Sequence, residues 1–361
     1  MMERFLELDG SIGEGGGQVL RVALAISAII RRPLHVYNIR KKRSNPGLRN
    51  QHLTAVRAVQ LACGGEVKNA HVGSTEIFFI PGRDTIDNLF LDTGTAGSTS
   101  LVLQSLIPVL CFGKTRTLFR IRGGTNNPNA PTFEYFQQIF FHFLHRIGVE
   151  CGLRLLRRGF YPRGGGEVEG YIVPVKRISA FSLTERPQLT KVSIHAYTSR
   201  LPPHVAKRMA ESCRQRLQAD GITVVETREE VLTESMHGCA VDPGAGIFVA
   251  GEFDTIRMGV DRLGEKGVPA EKVGQEAAED FLKEYRSGAP VDTHLGDMLV
   301  IYAALAEGVS TYRVSTLTMH TLTSIDVCKA LLEITASVDG ELGGPATITI
   351  HGTGILNKNI S

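Results

Sequence analysis

The order of elements along the 361-residue chain predicts an α/β fold of the α+β kind, with three repeated βαβαββ units forming a large domain and a smaller α/β domain inserted into it. Three observations carry this expectation. Within the first 180 or so residues, one succession of strand, loop, helix, strand, loop, helix and two short strands is read twice. The end of the chain repeats the second half of that succession. A stretch of about a hundred residues with a different pattern separates this end from the strand that should open its unit.

Unit one is read as strand Arg4–Leu8, the glycine-rich loop Asp9–Gly17 and an apolar helix through Ile30. Strand Leu34–Ile39, a basic loop, helix Gln51–Cys63 and short strands near Val67 and Ile77 follow. Unit two runs from strand Asn88–Leu91 through loop Asp92–Gly97, helix Ser98–Leu110, strand Thr117–Ile121 and loop Gly123–Pro131. Helix Phe133–Ile147 and strands near Leu153 and Val168 complete it. Unit three is expected to open near Tyr171–Val175 and to resume with helix Leu295–Ala306, strand Thr311–Val314, helix Ile325–Ala336 and strand Thr347–Ile350. Between its parts lie strand Lys191–Ala196, helix Pro203–Ala219, strands Ile222–Val225, Gly246–Gly251 and Thr255–Val260, and helix Ala270–Tyr285. The expected division is therefore 1–184 with 286–361 as the large domain and 185–285 as the insert, because insertion at an exposed loop is physically cheap.

Composition narrows the function classes. Hydrophobic residues make up 42% and charged residues 21% of the chain, as in ordinary globular proteins. Forty basic against thirty-seven acidic residues leave +3, so a nucleic-acid partner would be met by a local patch and not by a global field. Arg31, Arg32, Arg40, Lys41, Lys42, Arg43 and Arg49 form one such patch in sequence. The six cysteines are scattered without CxxC or CxxH spacing, against both a zinc site and a disulfide framework. With neither a leader pattern nor a bilayer-length apolar run, the expectation is a soluble cytoplasmic protein without a membrane partner.

Four segments carry chemistry. Three consecutive glycines before the first helix let backbone N–H groups approach an anion, and the helix dipole favours phosphate there. Glu14 in that loop can contact a divalent cation, and Arg21 in the helix can pair with phosphate oxygens. Arg40 and Arg43 flank two lysines before a Pro-Gly turn, where guanidinium groups supply bidentate phosphate contacts. Arg154, Arg157 and Arg158, followed by Phe160 and Tyr161, interleave charge with aromatics, a pattern that suits single-stranded RNA and equally an ordinary solvated hairpin. His320 lies at an expected helix start among Thr and Ser residues, where the dipole is expected to keep the imidazole neutral and nucleophilic. A pseudo-threefold arrangement of the units would bring loops Arg40–Gln51, Gly123–Pro131 and Thr316–Ser324 together.

Glu14-Gly-Gly-Gly-Gln18 with Arg21, Arg43-Ser-Asn-Pro-Gly-Leu-Arg-Asn-Gln-His52, Thr95-Ala-Gly97 with Gln104, Gly123-Gly-Thr-Asn-Asn-Pro-Asn-Ala-Pro131, Gly159-Phe-Tyr-Pro-Arg-Gly-Gly-Gly166 and Met319-His-Thr321 occur in this order. Together they resemble the RNA 3'-terminal phosphate cyclase family, whose repeats are similar to those of the enolpyruvyl transferases. The resemblance implies an ATP-dependent reaction in which His320 accepts AMP, AMP passes to an RNA 3'-phosphate, and the neighbouring 2'-hydroxyl closes a 2',3'-cyclic phosphate. It implies phosphate or RNA contacts for Arg21, Arg40, Arg43 and Gln51, and a divalent metal, Mg2+ or Mn2+, at Glu14. It also implies nucleotide contacts for Gln104 and Pro131 and for the segment His294, Leu295, Gly296, Asp297 and Met298. That segment departs from the family's usual Tyr-Leu-x-Asp-Gln-Leu: His294 replaces the aromatic expected against adenine, and Met298 a glutamine. Two other readings remain: the noncatalytic relative that serves as a scaffold in ribosome assembly, and a transferase acting on a small metabolite.

Overall fold

The computed structural model describes residues 4–84 and 86–360. Its first unit consists of β1 (Leu6–Asp9), α1 (Gly17–Ile30), β2 (Leu34–Tyr37), α2 (Asn50–Cys63), β3 (Glu66–Lys68) and β4 (Ile77–Ile80). Its sheet has the order β1-β2-β4-β3, with β1 and β2 parallel and the other pairs antiparallel. Unit two contains β5 (Asn88–Asp92), α3 (Thr99–Cys111) and β6 (Thr117–Gly123). A helical run follows: α4 (Phe133–Tyr135), a π turn (Phe136–Phe140) and α5 (Phe141–Arg146). Strands β7 (Cys151–Arg157) and β8 (Gly166–Ile172) close the unit, and the sheet order β5-β6-β8-β7 is that of unit one.

The remaining elements are β9 (Ser182–Leu183), β10 (Lys191–Ser199), α6 (Pro203–Ala219), β11 (Val224–Leu232), β12 (Gly244–Phe253), β13 (Ile256–Leu263) and α7 (Ala270–Arg286). They are followed by α8 (Thr293–Leu305), β14 (Glu307–Val314), α9 (Met319–Leu331), β15 (Thr335–Gly340) and β16 (Ala346–Thr353). One sheet joins β9, β14, β16 and β15, again with the parallel pair first, while β11-β10-β12-β13 forms a sheet of its own.

Alternation explains why each sheet has an inside. Along β6, Phe119 and Ile121 are buried while Leu118, Arg120 and Arg122 face solvent. Because the side-chain period is two, a one-residue slip would exchange these sets. Helix α1 is buried from Gln18 to Ala28, since it packs against α2, α3 and α9 at the centre of the molecule. Each large aliphatic side chain sealed there contributes about 1.5–3 kcal/mol relative to exposure. The layer of β10–β13 with α6 and α7 has a separate buried cluster that includes Ile194, Met209, Ile247, Val249 and Phe281.

The third unit differs from its sequence reading. Residues up to Ile172 end β8 of unit two, and the opening strand is the two-residue β9, parallel to β14, so the Tyr171–Val175 assignment was misplaced. Two residues carry too little alternation to be read. The last helix also starts earlier than Ile325 and stops before Ala336: α9 begins at Met319 because Thr318 caps it, its hydroxyl accepting from Thr321 N at 3.0 Å. Strand β11 extends to Leu232, well past the expected Val225. The described helices include none long and apolar enough to cross a membrane.

Candidate active site

A cleft of about 1270 Å³ opens where loops of the three units meet the β10–β13 layer. Its lining includes Glu14, Arg21, Arg40, Arg43, Gln51, Gln104, Pro131, His294, Asp297, Met298 and His320. Leu295 and Gly296 do not line it. Leu295 is buried in the core, and a Cβ on Gly296 would come within 2.7 Å of Val314 Cγ1, so both serve helix packing.

The loop between β1 and α1 is built to meet α9. Asp9 Oδ1 accepts from Ser11 N at 2.9 Å and from Asn38 Nδ2 at 3.2 Å, fixing the turn. Gly13 has φ of 57°, and the Thr323 hydroxyl occupies the place its Cβ would need. Thr323 Oγ1 then accepts from Glu14 N at 3.3 Å, and Gln18 Nε2 donates to Ser324 Oγ at 2.9 Å. These contacts seat Glu14 beside His320, with Glu14 Oε1 at 3.1 Å from His320 Nδ1 and also at 3.1 Å from Arg43 Nη2.

A carboxylate accepts and does not donate, so the proton lies on Nδ1 and Nε2 of the neutral ring carries the lone pair. The hydrogen bond that His320 donates to Glu14 raises the His320 pKa, assisted by the negative charge of Asp297, and burial opposes it only in part. The helix dipole is therefore not the leading influence on His320: a carboxylate in contact outweighs the partial charge of a helix end. Glu14 is shifted reciprocally downward, first by its hydrogen bond with His320.

Arg21 is 8% exposed. Its Nε donates to Gln104 Oε1 at 3.0 Å and its Nη2 to Gln18 Oε1 at 2.6 Å, both neutral partners. Glu14 and Asp297 act on it only through space, and burial lowers its pKa to about 10. Beneath it, His52 is pushed down to about 3, by burial first and then by Arg21, Arg40 and Arg49, so it is neutral at pH 7. Gly17 leaves room for both, since a Cβ there would fall 2.5 Å from His52 Nε2 and 3.0 Å from Arg21 Nη1. Helix α1 has no side-chain cap at Gly16, leaving its first N–H groups open beside these cations. Arg40 Nη1 donates to Asn45 O at 2.8 Å and Gly47 O at 3.0 Å, which rigidifies the basic loop.

At the other wall, Asp297 is half-buried and its pKa is raised, desolvation by the surrounding protein outweighing the opposing pull of His320 and His294. His294 packs edge-on against Tyr135 with ring centroids 5.7 Å apart. Asp292 caps α8, its Oδ1 accepting from His294 N and Leu295 N, and so orients the segment that carries His294 and Asp297.

Two sequence groupings are broken up. Arg31 lies at the opposite end of α1, about 20 Å from Gly17 at 1.5 Å per residue, and bonds Asn359. Arg154 pairs with Glu169 on the solvent face of its sheet, whereas Arg158 is buried between Glu134 and Glu230, so one charge is exposed and the other is compensated inside the protein. The sequence reading also missed Gln18, His52 and Asn126, and the contributions of Asp261 and Lys266 from the β10–β13 layer. Gln18 and His52 stand inside quoted motifs. Asp261 and Lys266 carry no local signal. All six cysteines are free and buried.

In this three-repeat α/β scaffold the unit loops surround a histidine with buried and exposed arginines. The family model for RNA 3'-terminal phosphate cyclase matches residues 12–338. The chain is 46% identical to the RNA 3'-terminal phosphate cyclase of Desulfurococcus amylolyticus, over 97% of this chain and 98% of that one. Identity is 42% with the protein of that name in Staphylothermus marinus (97% and 99% covered) and 40% with that in Pyrococcus abyssi (96% and 98%). The chain belongs to the RNA 3'-terminal phosphate cyclase family and is an ATP-dependent enzyme of that class.

Proposed function

We propose that this enzyme converts an RNA 3'-phosphate to a 2',3'-cyclic phosphate through a covalent His320–AMP. His320 Nε2 attacks the α-phosphorus of ATP, the bond to the bridging oxygen breaks and pyrophosphate leaves. An oxygen of the RNA 3'-phosphate then attacks the same phosphorus, the N–P bond breaks and His320 is regenerated. Finally the RNA 2'-hydroxyl attacks the activated 3'-phosphorus and expels AMP. Activation is needed because a phosphate monoester has a poor leaving group.

The observation that supports this best is Arg21, a buried cation with no carboxylate in contact among the described residues, in the same cleft as His320. Its environment suits an anion that the free protein lacks. Arg40, Arg43 and Gln51 would hold further phosphate oxygens, while Gln104, Pro131, His294, Asp297 and Met298 would face the nucleotide. Glu14, accepting from His320 Nδ1, would orient the ring. Among the described residues no group of three or more His, Cys, Asp or Glu side chains could hold a metal by itself. Glu14 Oε1 already meets His320 and Arg43, so its second oxygen is the one that would hold a divalent ion, Mg2+ or Mn2+, together with substrate phosphates whose charge the ion would offset. Residues 185–285 are taken as an inserted domain, supported by their separate sheet and buried cluster.

Incubation with α-labelled ATP and a divalent ion should label the protein in an acid-labile, alkali-stable bond, and His320→Ala should abolish it without unfolding. An RNA ending in a 3'-hydroxyl should not accept AMP, whereas a 2'-deoxy 3'-phosphate end should accept it and stall. Absence of label in the folded wild type would favour the scaffold reading instead.

A further inference from the structure

The inserted layer touches the cleft through a polar network that the adenylylation chemistry does not use. Arg158, 1% exposed, stands just after β7. Its Nη1 lies 2.7 Å from Glu134 Oε1, its Nε donates to Glu230 Oε1 at 2.6 Å, and its guanidinium carbon sits 3.9 Å over the Tyr197 ring. Glu230 is on β11 and Tyr197 on β10, so a residue of unit two is enclosed by the insert.

All four hydrogen-bonding positions of the Asn126 side chain are occupied here. Nδ2 donates to Glu134 Oε2 at 3.0 Å and to Tyr197 Oη at 2.9 Å. Oδ1 accepts from Thr125 Oγ1 at 2.6 Å and from Arg158 Nη1 at 3.4 Å. Asn126 opens the loop that ends at Pro131, and the whole span from Asn126 to Pro131 lines the cleft. At its far end Thr132 N donates to Asp261 Oδ2 of β13 at 2.7 Å. The wall that carries Pro131 is therefore fastened at both ends to the inserted sheet. Gly246 of β12 makes the first attachment possible, because a Cβ there would collide with the Tyr197 hydroxyl end.

We propose that the insert is a positioning element for nucleotide binding: Tyr197, held by Arg158, sets the Asn126–Pro131 wall through Asn126. Arg158 and Tyr197 act through that loop and touch no substrate. This rests on the reading of the cleft as an adenylylation site. A fully satisfied buried amide has one orientation, so losing a single partner loosens the loop at its root.

Tyr197→Phe removes the hydroxyl and keeps the ring under Arg158, which makes it milder than any change at Arg158. The KM for ATP in His320 labelling should rise about three- to tenfold, the range expected for one neutral hydrogen bond, with little change in the maximal rate. Arg158→Lys, which retains charge but not the fork, should show the same split if it folds. Val249→Ala, in the insert core and away from the loop, is the control: it should lower the unfolding midpoint and leave KM unchanged. A wild-type KM in folded Tyr197→Phe would overturn the proposal, as would an equal rise in Val249→Ala, which would mean general loosening. Failure of the wild type itself to be labelled would instead reject the adenylylation reading.

Discussion

Arg21 and Arg158 are both buried arginines, and their surroundings are opposite. Arg158 has two carboxylates in contact and an aromatic face beneath it, and its pKa is raised because those negative charges outweigh burial. Arg21 has two glutamine oxygens, and burial pulls its pKa down to about 10. One charge is neutralised by the fold. The other meets no carboxylate among the described residues. Burial alone does not distinguish a structural cation from a binding one; what distinguishes them is whether the protein supplies the counter-charge.

The comparison breaks first at Arg158. Arg158→Met should strand the buried Glu134, while Glu230 keeps Arg228 at 3.0 Å, and cost about 3–5 kcal/mol of stability, measured by denaturant unfolding. A loss below about 1 kcal/mol would show that the carboxylates find other partners.

Arg21→Met should do the reverse. Adenylylation should slow by about 3–4 kcal/mol in barrier, as for a transition-state donor, while the free protein becomes more stable by roughly 1 kcal/mol. Arg21→Lys should recover only part of the rate, since it lacks the planar fork. If Arg21→Met destabilised the protein as Arg158→Met does, the distinction between the two sites would be wrong.

His52 sharpens the picture through pH. Its folded pKa of about 3 lies below the ordinary 6.5, so its contribution to stability is present above pH 6.5 and is lost as pH falls toward 3, where the unfolded chain takes up the proton first. The loss is on the order of 5 kcal/mol. In His52→Gln it should disappear: the wild-type-minus-variant stability should fall steadily between pH 6.5 and 3, and a flat difference would contradict the neutral, buried assignment.

The smallest effect is expected at Thr318. Thr318→Ala removes the cap of α9 and should cost about 1 kcal/mol of stability, with His320 labelling slowed only modestly, because Thr323 and Ser324 still tie that helix to the first loop.

Much of this was legible in the chain. The three-unit pattern, the glycine loop before α1, the basic loop before α2 and the histidine at a helix start are local features, written in alternation, helical spacing and turn residues. The two-residue strand β9 escaped because it is shorter than any period it could show. The start of α9 escaped because threonines suit caps, loops and strands alike, and only the Thr318 hydrogen bond selects the cap.

By itself, then, the sequence determined the succession of elements and which loops bear charged and nucleophilic groups, since those depend on neighbours a few residues away. Tertiary structure alone decided which arginines are compensated. Arg21 meets Gln104 across 83 positions and Arg158 meets Glu230 across 72, and Tyr197 reaches Asn126 across 71. Arg154 and Arg158 are near neighbours in the chain, yet one lies on a solvated sheet face and the other is sealed against the β10–β13 layer. Charge compensation depends on distance in space and on the dielectric around the pair, and neither is a property of chain order.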